Sequence, residues 1–569
     1  MRPIIYQTFP RTFSADSITC KPFGTIEENG CGKLNDYTAK TLRQIRGLGC
    51  THIWYTGILR HATQTDYSTY GIPTQHPSIV KGRAGSPYAI CDYYDIDPDL
   101  AVDVPQRMKE FDSLVVRTHR AGLKMIIDFV PNHVARQYHS IAKPIGIRDL
   151  GQDDDTTTAF ALHNNFYYIP GQPFTAPASA ISESSSAEPY HEIPARATGN
   201  DCFTPAPSIC DWYETVKLNY GIDYLCGGNP QDTQLGSHDN PIPSTWHKML
   251  DILRFWATRG IDGFRCDMAE MVPCAFWAWA ISQIKSEHPG IIFIAEVYNP
   301  DLYRRFIHEG HFDYLYDKVG LYDTLRRIIG GESTSMLTHC WQATDDIAPH
   351  MLAFLENHDE QRIASSYFAS DPRRALPAML IAALMRRGPV MIYQGQTLGE
   401  PGMDTEGFSG QDGRTTIFDY WTIDTLRRWR NGGKYSPTKL TADERTLHAY
   451  YSKLLNMAGT YDAFTTGPMF DLMYANYDNP HMDTNHQFAF LRRAAGELML
   501  VVANFEDRPV DTAVNIPAHA FTYLNIQPGP AFATDLLTDT TQTIDLLPDT
   551  TLPLTLPPLG GIVLRMEVK

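Results

Sequence analysis

Ile127-Asp128-Phe129-Val130-Pro131-Asn132-His133, Gly263-Phe264-Arg265-Cys266-Asp267, Phe293-Ile294-Ala295-Glu296 and Phe354-Leu355-Glu356-Asn357-His358-Asp359 decide the fold. Each is a short apolar run that ends in carboxylates, imidazoles or a guanidinium, as a buried strand does when it emerges into a loop. One such segment carries little weight, because a buried Asp is often only a satisfied structural group. Four in chain order, at these intervals, describe a catalytic mouth built from the ends of several strands.

Working outward, strand candidates are Ile4–Thr8, His52–Thr56, Lys124–Phe129, Gly263–Cys266, Ile291–Ala295, Phe312–Tyr316, Ala353–Glu356 and Val390–Tyr393. Helix candidates between them include Asp36–Gly47, Val104–Ala121, Thr245–Arg259 and Ala275–Ser286. Eight strand–helix units predict an α/β fold, a closed (β/α)8 TIM barrel. Asp267 and Glu296 lie 29 residues apart, about one unit, and Glu296 and Asp359 lie 63 apart, about two. The 139 residues from Asp128 to Asp267 exceed one unit, so an inserted domain is expected after strand 3, over about residues 134–230. Its tracts Asp153-Asp154-Asp155-Thr156-Thr157-Thr158 and Ser182-Glu183-Ser184-Ser185-Ser186-Ala187-Glu188 read as solvated surface loops. Beyond a last barrel helix at Thr446–Met457, strand runs at Gln487–Arg492, Glu497–Asn504, Asp511–Ile516, Thr543–Leu547 and Ile562–Met566 predict a C-terminal antiparallel β-sandwich. The expected domains are therefore 1–133 with 231–460, 134–230, and 461–569.

The chain has 569 residues, 43% hydrophobic and 20% charged, the proportions of a globular protein of two or three domains. Its net charge of -17 argues against nucleic acid, whose phosphates require clustered Lys and Arg. No apolar run is long enough to span a membrane. Met1-Arg2 leads directly into strand-like sequence, so a cytoplasmic protein is expected, a trimmed secreted form being the alternative. The ten cysteines form no CxxC pattern; Cys91 and Cys266 read as buried thiols, and the spacings Cys20/Cys31 and Cys202/Cys210 permit loop disulfides without requiring them.

Functional groups of a (β/α)8 barrel come from the C-terminal ends of its strands, where Asp128, Asp267, Glu296 and Asp359 fall. Cleaving an acetal requires one carboxyl to protonate the leaving oxygen and a second to attack or support the anomeric carbon. Asp267 and Glu296, on neighbouring strands 4 and 5, can face each other across one sugar ring. Arg265, two residues before Asp267, shares its strand face and is expected to keep it ionised. Glu296 follows Ile292-Phe293-Ile294-Ala295, so an apolar setting that keeps it protonated is expected. His133 and His358 stand beside Asp128 and Asp359 on matching strand ends. Trp212 and Tyr213 suit either a sugar cleft or packing of the insertion, Gln394 and Gln396 read as loop structure, and Gly402–Arg414 as a rim loop.

These segments resemble the four signature regions of the α-amylase family of glycoside hydrolases and transglycosidases, and the likeness extends over almost the whole chain. The resemblance implies Asp267 as nucleophile, Glu296 as general acid/base and Asp359 as transition-state stabiliser. It further implies that Arg265 holds Asp267, that His133 and His358 hydrogen-bond the sugar, and that Asp128 supports the site through hydrogen bonds. Gly85-Ser86-Pro87-Tyr88-Ala89-Ile90-Cys91-Asp92-Tyr93-Tyr94 is similar to the family's segment ahead of strand 3 and offers Tyr88 as a stacking ring. Thr215-Val216-Lys217-Leu218-Asn219 resembles its fifth region. Asn132 matches a residue that often binds calcium between barrel and insertion, so a structural Ca2+ is a candidate, while the chemistry itself needs no cofactor. Two departures stand out: Glu270-Met271 where many amylases carry Lys-His, and Lys217 where an Asp is common. The expected function is retaining hydrolysis of α-1,4-glucosidic bonds in α-glucan or maltooligosaccharide; a transglycosidase with the same chemistry and a non-catalytic glycan-binding relative are the alternatives.

Overall fold

The barrel runs Ile4–Thr8 and His52–Tyr55 show no polar alternation because both their faces are covered, and every residue in them is buried. They are β1 and β2 of an eight-stranded parallel sheet completed by β3 (Lys124–Phe129), β4 (Gly263–Cys266), β5 (Ile292–Ala295), β6 (Tyr314–Tyr316), β7 (Met351–Leu352) and β8 (Val390–Tyr393). The computed structural model describes residues 2–182, 188–232, 241–402, 411–494 and 496–567. Strand order is β7-β6-β5-β4-β3-β2-β1-β8, and Ala353, just past β7, bridges in parallel to Val390 and closes the barrel. The seventh strand thus lies earlier than the expected Ala353–Glu356. Glu356 is drawn into the following loop, where its carboxylate accepts the Ile363 N–H at 2.8 Å and pairs with Arg362 at 2.8 Å.

Alternation along each strand builds the interior in two layers. Ile5, Trp54, Ile126, Ile294, Tyr316 and Leu352 pack together inside the barrel. Two residues beyond three of them, on the same face and nearer the C-terminal mouth, stand Gln7, Asp128 and Glu296. The polar site is therefore the layer above an apolar plug. Helices α1 (Ala39–Gly47), α2 (Arg107–Arg120), α3 (Ser244–Ala257) and α4 (Cys274–Glu287) cover the outside, each within a few residues of its expected span. Thr38 caps α1 by accepting the Thr41 N–H.

After β3 the chain leaves the barrel in short antiparallel pairs. His133–Ala135 pairs with Thr215–Lys217, and Tyr168–Ile169 with Ala195–Arg196. The Asp153–Asp155 tract is not wholly solvated: the Asp154 carboxylate accepts the N–H groups of Asn165 and Phe166. Residues 183–187 of the Ser/Glu tract and 403–410 of the rim loop lie outside the described residues. All ten cysteines are free thiols, and Cys91 and Cys266 are buried. Among the described residues no helix is long and apolar enough to cross a membrane.

At the other end, α5 (Leu376–Leu384) is buried from Pro377 onward, and α6 (Ala442–Thr460) opens with a capping box formed by Thr441 and Glu444. The chain then forms β9 (Met469–Asp471), β10 (Gln487–Ala494), β11 (Glu497–Asn504), β12 (Val510–Ile516), β13 (Gly529–Asp535), β14 (Thr541–Leu546), β15 (Thr550–Leu556) and β16 (Gly560–Glu567). The antiparallel orders β9-β10-β11-β16-β13-β14 and β12-β15 make the β-sandwich. A helix, α7 (Ala518–Leu524), interrupts them; it was not legible in the strand pattern.

The sandwich docks on α5 through β11 and β16. Gly561 is needed there, since a Cβ would lie 2.8 Å from Leu380 Cδ2 and 2.3 Å from the Val502 carbonyl. Arg492 of β10 is fully buried and donates to the carbonyls of Leu384 and Met385 on the barrel side and of Phe464 and Gly467 beyond α6. Replacing it with Leu strands those acceptors, at a cost of about 1–3 kcal/mol for an unsatisfied buried group. Arg492→Leu is expected to lower the calorimetric Tm markedly, whereas a surface change such as Arg427→Leu leaves it near the parent value.

Candidate active site

Arg265 on β4 is buried and is the hub. Its Nη1 donates to Asp267 Oδ1 at 2.7 Å and lies 3.5 Å from Asp128 Oδ1; its Nη2 makes a 2.7 Å ion-pair contact with Glu296 Oε2. Its Nε donates to the Tyr316 hydroxyl at 3.2 Å. Strand register explains the grouping: Arg265 is the parallel partner of Asp128 on β3 and of Ile294 on β5, two residues before Glu296. The rings of Trp54, Tyr88 and Tyr316 surround the guanidinium at 5.2, 5.4 and 5.7 Å.

Asp128 is held from the opposite side by the Gly57 N–H at 2.9 Å. Gly57 has φ +71°, and a Cβ there would meet Pro87 Cβ at 2.7 Å and Phe9 at 2.8 Å, so both its conformation and the close approach require glycine. Burial, opposed by Arg265, pushes the Asp128 carboxyl up to about 6.

Glu296 does not sit in the apolar setting expected for it. The Tyr298 hydroxyl donates to its Oε1 at 2.5 Å, the Met268 N–H donates to Oε2 at 2.8 Å, and Arg265 lies against Oε2. Its side chain points into the polar layer above Ile294, while Phe293 and Ala295 pack outward. Met268 adopts φ +42°, a left-handed conformation costing about 1–2 kcal/mol in a non-glycine residue, immediately after Asp267. Glu270 occupies the place where many amylases carry Lys, and its Oε2 accepts the N–H groups of Tyr298 and Asn299 at 3.0 Å each. It therefore pins the loop that carries Tyr298. Tyr298 was missed at the sequence level; the one available signal, its position two residues after Glu296, lies beyond the strand end where alternation no longer guides.

Opposite this group, the buried His358 ring takes three contacts. Gln7 Nε2 donates to its Nδ1 at 2.7 Å, which assigns the proton to Nε2; that atom lies 2.5 Å from the Tyr88 hydroxyl and 3.0 Å from Asp359 Oδ2. Tyr88 and His358 stack at 5.3 Å. Burial and the Arg265 charge hold His358 well below its ordinary value, so it is neutral. His133 is likewise held down to about 3, by burial and the charges of Lys217 and Lys81, and its ring lies 5.2 Å from Trp212. Gln394 and Gln396 serve the loops, accepting from the backbone N–H groups of Phe9 and Tyr393.

Asn132 is engaged differently from the rest. Its Nδ2 donates to the Gly199 carbonyl at 2.7 Å and its Oδ1 accepts from the Lys217 ammonium at 2.8 Å. Calcium takes about 6–8 oxygens. A donor set whose amide oxygen already faces a buried cation does not fit it.

Three buried carboxyls and the partly exposed Asp359 around one guanidinium leave uncompensated negative charge. Burial first, and the Glu296 charge next, push Asp359 up to about 7. Asp267 is pushed well up by burial and by Glu296 and Asp128, against the pull of Arg265. An arrangement that retains protons near neutrality and places two carboxyls on adjacent strands around a shared space suits acid/base-assisted displacement at an acetal carbon.

Comparison with known proteins agrees. The family profile described as alpha amylase, catalytic domain, matches residues 7–172 and 224–433, and that of the alpha amylase C-terminal all-beta domain matches residues 477–567. The alpha-amylase MalA of Haloarcula japonica is 23% identical over 521 residues, covering 90% of this chain; the chain spans 57% of that relative's length. A maltogenic alpha-amylase AmyB from Thermotoga neapolitana superposes with TM-score 0.62 at 18% identity, covering 100% of this chain and 99% of its own. The alpha-amylase of Geobacillus thermoleovorans, complexed with acarbose, gives TM-score 0.62 at 16% identity over 99% and 98% of the two chains. By fold and site the protein is a (β/α)8 barrel that carries a cluster of carboxyls at the C-terminal mouth of its strands, followed by a C-terminal β-sandwich. The extent of the profile matches decides the family: the chain belongs to the alpha-amylase family.

Asp359 supplies a test that does not depend on turnover. Its carboxyl titrates at about 7 in the folded protein and at about 3.9 in an unfolded chain. Between those values the folded state holds the extra proton, so this group's contribution to stability is lost as pH rises through that window. Asp359→Asn is expected to raise the Tm at pH 8 relative to the parent, with the gap closing as pH falls toward 4, followed by calorimetry.

Proposed function

We propose that the protein hydrolyses α-1,4-glucosidic bonds in starch- or glycogen-type glucans and maltooligosaccharides, with retention of anomeric configuration. The observation that carries this reading is the Arg265 fork, whose two arms reach Asp267 and Glu296 at 2.7 Å each. Retention needs such a facing pair, with the carboxyl groups about 5–5.5 Å apart. The acarbose complex of the Geobacillus thermoleovorans relative supports a glucan-like ligand.

In the first step Asp267 attacks the anomeric carbon through Oδ2, since Oδ1 carries the Arg265 hydrogen bond. The bond to the leaving oxygen breaks as Glu296 gives that oxygen a proton, leaving a covalent glucosyl-enzyme. In the second step Glu296 takes a proton from water, the water oxygen attacks the same carbon, and Asp267 departs as carboxylate. Asp359 and the neutral His358 grip the ring hydroxyls, His133 hydrogen-bonds the same sugar, and Tyr88 offers its face to the ring. Asp128 acts through Arg265 rather than on the sugar.

Glu296→Gln is expected to lose about 10²–10⁴-fold in kcat, the usual share of general acid–base catalysis, while still binding maltooligosaccharide. Time-resolved NMR of the parent is expected to show the α anomer first, and a β first product would sink the mechanism. Tyr298→Phe removes one donor to a charged group and is expected to lower kcat by about tenfold or more with little change in KM. Product profiles from starch and from maltotriose identify water or a second sugar as the acceptor.

A further inference from the structure

The junction between β3 and the excursion that follows it gathers oxygens around a cation supplied by the chain itself. Asn132 is in the loop after β3, Lys217 is the backbone partner of His133 in the antiparallel pair that begins the excursion, and Asp201 is in a turn two residues beyond Gly199. The Lys217 ammonium lies 2.8 Å from Asn132 Oδ1 and 2.6 Å from Asp201 Oδ1, with the Tyr224 ring 5.3 Å away on another side. Its side chain is only 2% exposed. Two of these segments are tied together again by Asn132 Nδ2 on the Gly199 carbonyl, and a Cβ on Gly199 would lie 2.8 Å from His133 Cβ. A buried lysine of this kind is rare unless its charge is met by acceptors, and here those acceptors are a carboxylate and an amide oxygen from separate segments.

We propose that the Lys217 ammonium is a built-in replacement for a divalent cation, clamping the Asn132 loop to the turn at Gly199–Asp201 beside His133. The ammonium occupies the position from which a metal would reach Asn132 Oδ1 and Asp201 Oδ1, and the lysine stem fills the space a hydrated ion would need. A single positive charge needs few acceptors, whereas calcium would need several more oxygens than this junction offers. The clamp is covalently part of the chain, so chelators cannot remove it.

Thermal unfolding of the full chain in excess EDTA and in millimolar calcium chloride tests this, with Lys217→Asp, Lys217→Met and Asp201→Asn as variants and isothermal calorimetry with calcium alone as a second readout. The parent is expected to have one Tm in both solutions. Lys217→Met and Asp201→Asn are expected to lower that Tm by several degrees in both, because each breaks the ion pair of the buried lysine with the exposed Asp201. Lys217→Asp restores an oxygen-only junction and is expected to melt low in EDTA, recover in calcium and bind the ion in calorimetry; a merely structural lysine would not confer that response. The proposal is overturned if calcium raises the parent Tm and Asn132→Ala abolishes the rise. It is equally overturned if Lys217→Met melts with the parent, or if Lys217→Asp folds and shows no calcium response. Should Lys217→Asp fail to fold, the paired result from Lys217→Met and Asp201→Asn decides, an unchanged Tm in both counting against the clamp.

Discussion

The mouth of this barrel is organised by one buried guanidinium. Taking an isolated charge out of water costs several kcal/mol even after relaxation, so Arg265 is tenable only because its neighbours answer it on every side. Three carboxylates reach it from β3, from the end of β4 and from the end of β5, a phenol reaches it from β6, and aromatic faces close the remainder. A lysine could not do this, since a point charge on a flexible stem lacks two arms at a fixed spacing. The separation of Asp267 from Glu296 is thus set by the width of a planar fork and by the register of adjacent strands.

Much of this was legible in the sequence because strand geometry is periodic. Arg265 and Asp267 are two residues apart on one strand face, and spacing alone placed Asp128, Asp267 and Glu296 on strands 3, 4 and 5. The barrel itself was readable from runs buried on both faces, and its closure needed only β8 to return beside β1. Where the period ends, legibility ends with it. Beyond Ala353 the chain leaves the ladder, and the Glu356 carboxylate is satisfied by Arg362 and Ile363 in the loop that follows, which no local pattern announces.

Long-range partners were the other blind spot. Apolar residues before Glu296 suggested a dry carboxyl, but those side chains belong to the strand's alternation, while the environment of Glu296 comes from Met268, Tyr298 and Arg265. Lys217 was visible as a departure, yet its partner Asn132 lies 85 residues earlier in the chain. Glu270 was visible as a departure, but not its role as a backbone clamp on the next loop. Arg492, which ties β10 to the barrel by two carbonyls and to the segment after α6 by two more, has no sequence signature, because carbonyl acceptors belong to every residue.

The charge imbalance at the site bears directly on the proposed chemistry. With one guanidinium set among Asp128, Asp267, Glu296 and Asp359, repulsion and burial raise three of these carboxyls above their ordinary range. In the resting protein that field is costly, and protons relieve part of it. An oxocarbenium-like centre forming between Asp267 and Glu296 would relieve it too, since positive charge would then appear where the negative potential is concentrated. Neutral His133 and His358 add to this, because an imidazolium at either place would cancel the field; burial and the nearby cations hold both rings down. A neutral glucan gains little from such a field in its ground state, and the interaction grows only as the glycosidic bond breaks, which is the condition for binding energy to accelerate the reaction rather than merely hold the substrate.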